Sequence, residues 1–200
     1  MNRSAFYAAL RKTWGGFSHP QVRGFERYLD RIAQTPALPI NHSAYVLATV
    51  WHETGTRMQP VRETFASTDD QAVARLNAAW NAGRLSWVKT PYWQRDARGR
   101  SWYGRGDVQI THAQNYENLG TRLGIPLARS PDLALDPQVA MEIAWVGMTE
   151  GLFTGKRLAD YLTADKTEYV SARRIVNGVD RAKRIAGEAR LFESALRAAR

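Results

Sequence analysis

The chain has 200 residues, 44% of them hydrophobic, no cysteine and a formal net charge of +9. That length and apolar content suffice for a packed core without metal or disulfide staples. The absence of cysteine excludes thiolate catalysis, zinc fingers and iron–sulfur ligation.

The charge is concentrated in two stretches. Residues 84–107 carry six Arg/Lys against two Asp, and residues 171–200 carry eight against three acidic groups, which together match the whole net charge. Such patches fit either a polyanionic partner (nucleic acid, anionic membrane, acidic wall polymer) or a basic surface that serves solubility. The opening "MNRSAFYAALRKTW" has no apolar run of secretory-signal length, and no later segment is long enough to span a membrane. The expectation is a soluble protein made in the cytoplasm.

In chain order, residues 4–12 read as a short helix and Pro20–Thr35 as a second, with Val22, Phe25, Leu29 and Ile32 on one face. Two prolines in "TPALPIN" break the pattern. Asn41 then suits an N-cap, and Ala44, Leu47, Ala48 and Trp51 recur at helical spacing while Tyr45, Val46 and Val50 make the other faces apolar. This predicts a buried central helix. Thr68 with Gln71 forms the pattern of a capping box, opening a helix through Trp80 that Gly83 closes.

From Leu85 to Thr111 the texture turns aromatic, and "DVQIT" alternates polar and apolar, which predicts a small β-hairpin lobe at about 84–111. Helices are expected again at 112–123, 137–150, 156–162, 167–176 and 181–198, the last carrying Ile185, Ala189, Phe192 and Leu196 inward. The predicted fold is mainly α (α+β): one catalytic domain over 1–200, a helical body with a small strand-containing lobe, a cleft between them and no separate wall-binding domain.

Two carboxylates draw attention. Glu53 ends the apolar helix just before Gly55, where partial burial and the helix dipole would both favour its protonated form. A glutamate so held suits a general acid. Glu63 follows ten residues on, past Pro60. The pair reads either as two solvated charges or as the acid and base of an inverting glycosidase. His52-Glu53 begins the zinc-peptidase pattern HExxH, but Thr56 stands where the second histidine belongs. With His19, His42 and His112 scattered singly, neither a metal nor a cofactor is expected.

In "WYGRGDVQITHAQNY", Val108 and Ile110 alternate with Gln109 and Thr111, and the latter two suit contacts to sugar hydroxyls, N-acetyl groups or an attacking water. Trp87, Tyr92, Trp93, Trp102 and Tyr103 supply rings that either stack on sugars or fill the small lobe's core, with Trp93 and Tyr103 the candidates for the cleft.

These residues carry a resemblance. "HETG", "YGRGDVQIT" with the following "NY", "RRIVNG" and "DRAKRI" stand in the order of the motifs of family 19 glycoside hydrolases, the chitinase and lysozyme-like group that includes phage endolysins. The resemblance implies Glu53 as general acid, Glu63 as base and Thr111 as the residue that positions the nucleophilic water. It implies Gln109 and Asn115 as substrate-binding residues, Tyr103 as a lining of the cleft, and Asn177 and Arg184 as part of the polar network around the second carboxylate; Tyr116, which extends the polar row of Asn115, and Trp93, from the aromatic series, complete the expected substrate-binding set.

"MQPVRE" and "SPDLALDP" are similar to phage and prophage members, and the missing cysteines and close second glutamate fit a compact branch. The expected activity is therefore that of a peptidoglycan-degrading endolysin, held in the cytoplasm until lysis and acting as a monomer on wall glycan. The alternatives are a chitinase acting on N-acetylglucosamine polymers and a non-enzymatic polyanion binder. No nucleic-acid motif is present. The basic terminal helix either touches anionic membrane or packs its apolar stripe and solvates its charges.

Overall fold

Eight α-helices and one two-stranded sheet account for the regular structure of the chain, which a computed structural model describes over all of residues 1–200. The helices are α1 (Arg3–Trp14), α2 (His19–Ala33), α3 (Ile40–Glu53), α4 (Asp69–Asn81), α5 (Ala113–Leu123), α6 (Pro137–Glu150), α7 (Leu158–Tyr161) and α8 (Ala182–Ala198); the strands are β1 (Val61–Arg62) and β2 (Arg105–Gly106). The mainly helical class with a small sheet is the one the periodicities predict. The expected helix at 167–176 is only a 3-10 segment, Ser171–Ile175. By Cα proximity the chain divides into two compact units, one made of 1–59 with 144–200 and the other of 60–143.

In the first unit α3 is buried continuously from Asn41 to Trp51, as a helix with apolar residues on all faces must be. Its N-cap is Pro39 and not Asn41. Asn41 lies inside the first turn, and its Nδ2 donates to the carbonyls of Thr163 at 2.8 Å and Lys166 at 3.3 Å. The cap was misread because Asn41 is spent on a turn more than a hundred residues away.

Helix α8 packs on α3 and α1 with Ile185, Ala189, Phe192 and Leu196 buried. Trp51 stacks on Trp14 at 4.8 Å and on Phe25 at 5.7 Å between ring centroids, and Phe192 closes the cluster at 5.1 Å from Trp14. Removing Phe192 to Ala would cost about 3–5 kcal/mol. The apolar stripe of α8 is committed to this core, as the packing reading of the terminal helix expects, and nothing in the fold supports membrane contact. No helix is long and apolar enough to cross a membrane.

In the second unit β1 and β2 pair antiparallel, Val61 with Gly106 and Arg62 with Arg105. The sheet thus joins segments more than forty residues apart, while the only pairing inside 84–111 is the Arg105–Ile110 bridge. Gln109 has φ 54°, so residues 105–110 form a tight loop and not an extended strand. The alternation survives: Val108 and Ile110 are buried, Gln109 and Thr111 half-buried.

What fixes this loop is Arg105, 1% exposed. Its Nε donates to Asp132 at 2.7 Å, Nη2 to Asp69 at 3.0 Å and Nη1 to the Ser101 carbonyl at 2.8 Å, and its guanidinium lies 3.7 Å from the centre of the Tyr103 ring. Arg62 bridges the same two aspartates, at 3.0 Å and 2.7 Å. A buried cation with all three of its nitrogens hydrogen-bonded is sustained by such a network and would be costly without it.

Candidate active site

Glu53 is the last residue of α3, and the chain turns sharply after it. The Thr54 hydroxyl donates to the Val50 carbonyl at 2.7 Å and accepts from the Met58 amide at 3.0 Å, so the turn is tied to the helix that precedes it. Gly24 of α2 allows the loop to close: a Cβ there would lie 2.0 Å from the Met58 carbonyl oxygen. Glu53 is therefore held at a rigid helix end, its side chain 18% exposed.

Its carboxylate accepts a hydrogen bond from Nη1 of Arg173 at 2.5 Å, and Arg173, 3% exposed, is anchored in turn by its Nε to the Asp180 carbonyl at 3.1 Å. The expectation for Glu53 weighed partial burial and the helix dipole, and the structure adds a buried cation in direct contact with it. For a proton donor the consequence is direct: Arg173 stabilises the carboxylate left after the proton has gone.

Around them stand His52, Glu188 and Arg184. The Glu188 carboxyl lies 4.0 Å from His52 Nδ1 and accepts from Arg184 Nε at 3.1 Å. Burial pushes Glu188 up, partly countered by Arg184. Burial also lowers His52, which Glu53 opposes and Arg173, Arg184 and Arg181 reinforce. Of the expected residues in this unit, Arg184 thus has its Nε on Glu188, and Asn177 lies exposed with its side-chain oxygen on the Gly178 amide at 2.8 Å. Arg173 was passed over although it stands inside the quoted "RRIVNG".

In the second unit Glu63 follows β1 directly. Its amide donates to the Gly104 carbonyl at 2.7 Å, and its carboxylate accepts from the Gly104 amide at 2.7 Å and the Tyr92 hydroxyl at 2.7 Å. Both oxygens thus carry one donor each and retain lone pairs for another. Such a carboxylate is oriented and ready to accept a proton from water. Burial and the neighbouring Glu63 push the Tyr92 hydroxyl up, so it stays a donor at any physiological pH.

A Cβ built on Gly104 would meet Gln109 Oε1 at 3.0 Å and Glu63 Oε2 at 3.3 Å. The missing side chain therefore leaves a small space bounded by both oxygens. Gln109 donates its amide to the carbonyls of Val61 at 2.8 Å and Gly106 at 3.0 Å, which turns its oxygen toward that space. Asn115, in the first turn of α5, donates to the Thr111 carbonyl at 2.8 Å, so Thr111 and Asn115 are fixed to each other at the loop's end.

Three expected sugar-binding aromatics are placed otherwise. Tyr103, Tyr116 and Trp93 are fully buried and offer no ring face to a ligand. Tyr103 donates to Asp69 and covers Arg105; the Tyr116 hydroxyl donates to the Tyr103 carbonyl at 2.9 Å; Trp93 donates to Asn77 at 2.8 Å. They build the small core and hold the loop. The basic stretch 84–107 is corrected in a similar way: Arg95 pairs with Asp70 at 2.6 Å, Arg100 with Asp96 at 2.8 Å, and Arg105 with Asp69 and Asp132, so half of its cations answer local aspartates.

The family model for chitinase class I, glycoside hydrolase family 19, matches residues 50–155, more than half of the chain and a range that takes in Glu53, Glu63 and the Gln109–Asn115 loop. The chain belongs to this chitinase class I family. Its similarity to individual family 19 proteins is local. It is 44% identical over 55 residues to an endochitinase of Solanum tuberosum, covering 26% of this chain and 17% of that one. It is 48% identical over 50 residues to chitinase 11 of Oryza sativa subsp. japonica, covering 24% and 20%. The matched region thus spans about a fifth or less of these relatives' own length.

Among solved structures, that of a chitinase C mutant aligns over 99% of this chain and 91% of the other at 17% identity, with a TM-score of 0.48. The curated relatives are plant chitinases, and this overturns the expected peptidoglycan-degrading endolysin and its lysozyme and bacteriophage associations.

Proposed function

We propose that the chain is a chitinase, hydrolysing β-1,4 bonds of N-acetylglucosamine polymers by acid/base catalysis. The observation that carries this is the fixing of Glu63 between the Tyr92 hydroxyl and the Gly104 amide, inside the segment that matches the family. Glu63 takes the proton of an attacking water, and the space over Gly104, bounded by Glu63 and Gln109 oxygens, suits that water. Thr111 assists in placing it. Glu53 protonates the leaving glycosidic oxygen, and Arg173 stabilises the carboxylate that results. Gln109, Asn115, Asn177 and Arg184 supply polar contacts to the glycan.

The substrate class is a chitin-like glycan, supported by the named activity of the plant relatives. The proposal is made at the level of the family, and the phage or prophage branch gains no support from those relatives. Water attack with Glu63 as base inverts the anomeric centre. Proton NMR of chitin oligosaccharide digestion tests this: new reducing ends should appear first as the α-anomer. Absence of cleavage would refute the chitinase reading, and β-anomer first would refute the role of Glu63 as base.

A further inference from the structure

His112 adopts a backbone conformation that a histidine does not favour. Its φ of 66° goes with a ψ of 136°. A residue with a Cβ is sterically allowed a positive φ mainly where ψ is about 30–60°, so this position lies outside the left-handed turn region as well. Such a conformation persists only where its surroundings over-determine it. Here the backbone is bound on both sides: the His112 amide donates to the Trp102 carbonyl at 3.0 Å, and the His112 carbonyl accepts from the Asn115 amide at 3.0 Å. Gln109, with φ 54°, stands three residues before it, so two strained positions bracket Thr111.

The side chain is exposed, and its ring lies against that of Tyr92, 4.8 Å between centroids and tilted by 56°. Tyr92 belongs to the stretch 82–104, which contains no helix or strand, so no regular backbone ladder sets the direction of its side chain. The rings that touch it do so instead: Trp93, buried in the small core, edge-on at 5.1 Å, and His112. Both donors to the Glu63 carboxylate are thereby reached from one residue. The Tyr92 hydroxyl donates at 2.7 Å from the ring that His112 touches, and the Gly104 amide donates at 2.7 Å from the segment that the His112 amide binds through Trp102.

We infer that His112 is a positioning residue for the proposed base, its imidazole holding the Tyr92 ring at the angle that keeps the hydroxyl on Glu63. The inference rests on the chitinase reading and adds to it a residue that acts through Tyr92. With the amide fixed on Trp102 and the carbonyl fixed by Asn115, the positive φ decides where the Cα–Cβ bond points, and it points the ring to Tyr92. The contact is one of ring against ring, so it calls for an aromatic side chain at 112 and makes no use of the imidazole nitrogens.

The test uses His112→Gly and His112→Phe, each made in the wild-type and in the Tyr92→Phe background, with kcat and KM for hydrolysis of the N-acetylglucosamine pentamer and the melting temperature of each variant. Glycine removes the ring and suits the positive φ, so a ring kept for folding and a ring kept for Tyr92 give different signs in the melting temperature.

The expected result for His112→Gly is a kcat lower by about fivefold, KM within about twofold and a melting temperature unchanged or higher; His112→Phe should return kcat to within about twofold of wild type. In the Tyr92→Phe background the hydroxyl is already gone, so His112→Gly should lower kcat by less than about twofold there. A kcat of His112→Gly within about 1.5-fold of wild type would overturn the inference while leaving the chitinase reading intact. The same loss repeated in full in the Tyr92→Phe background would overturn it too, as would a loss that phenylalanine does not restore. A wild type that leaves the pentamer uncut would refute the chitinase reading and this inference with it.

Discussion

Arg173 donates to Glu53 at 2.5 Å from a position that is itself buried, and its other donor is tied to the Asp180 carbonyl. The cation therefore cannot follow the carboxylate if that moves, and the carboxylate is held where the cation is. Replacing Arg173 with Met leaves Glu53 without its counter-charge and should cost about 3 kcal/mol in denaturant unfolding. Arg173→Lys, which lacks the fork that spans two acceptors, should recover less than half of that loss. Equal stability of wild type and Arg173→Met would show that the pair contributes nothing.

Tyr92→Phe tests the orientation of Glu63 without disturbing packing. The ring stays in its edge contact with Trp93 at 5.1 Å, and only the hydrogen bond to Glu63 is lost. A hydrogen bond to a charged group contributes about 1.5–3 kcal/mol, so kcat should fall roughly tenfold or more with little change in KM. An unchanged kcat would remove Tyr92 from the account.

Gly104→Ala adds one methyl group where the proposed mechanism puts the attacking water. The backbone at Gly104 is outside the left-handed region, so alanine fits the chain, but its Cβ would sit 3.0 Å from Gln109 Oε1 and 3.3 Å from Glu63 Oε2. The expected outcome is a melting temperature within a few degrees of wild type and at least a hundredfold loss of chitin oligosaccharide hydrolysis. Retained activity would place the water elsewhere.

The Arg105 network predicts an acid-sensitive fold. Burial alone would raise Asp69, but the Tyr103 hydrogen bond, the Arg105 charge and the Arg62 hydrogen bond hold it below its ordinary 3.8. At a pH between that ordinary value and the depressed folded one, the unfolded chain binds more protons than the folded chain, so stability falls as pH falls. The contribution is complete above 3.8 and is lost as pH drops through the folded value. Asp69→Asn should cost about 2 kcal/mol at neutral pH, with the difference from wild type shrinking in acid. A difference constant with pH, measured by urea unfolding, would contradict this.

Local features were legible where one helix decides the outcome. The spacing of Ala44, Leu47 and Trp51 gave α3, and that of Ile185, Ala189, Phe192 and Leu196 gave the buried side of α8. The motif residues Glu53, Glu63 and Gln109 could be singled out from the sequence, but what orients them comes from afar. Arg105 depends on Asp69 and Asp132, and Glu63 on Tyr92 and Gly104, none within reach of a periodicity argument. Composition also does not say which rings are core, so Trp93 and Tyr103 read as cleft residues and prove buried, as does Tyr116, expected in the polar row beside Asn115. The backbone at His112 was invisible because nothing in its residue type calls for the φ and ψ it adopts.

The central claim is proton donation by Glu53, and Glu53→Gln tests it most directly, since glutamine keeps the size and the polar contacts but carries no transferable proton. Hydrolysis of chitin oligosaccharides and calorimetric binding of the same oligosaccharides should be measured on one preparation. The account predicts binding within about threefold of wild type and hydrolysis reduced at least a thousandfold. Hydrolysis within tenfold of wild type would contradict it.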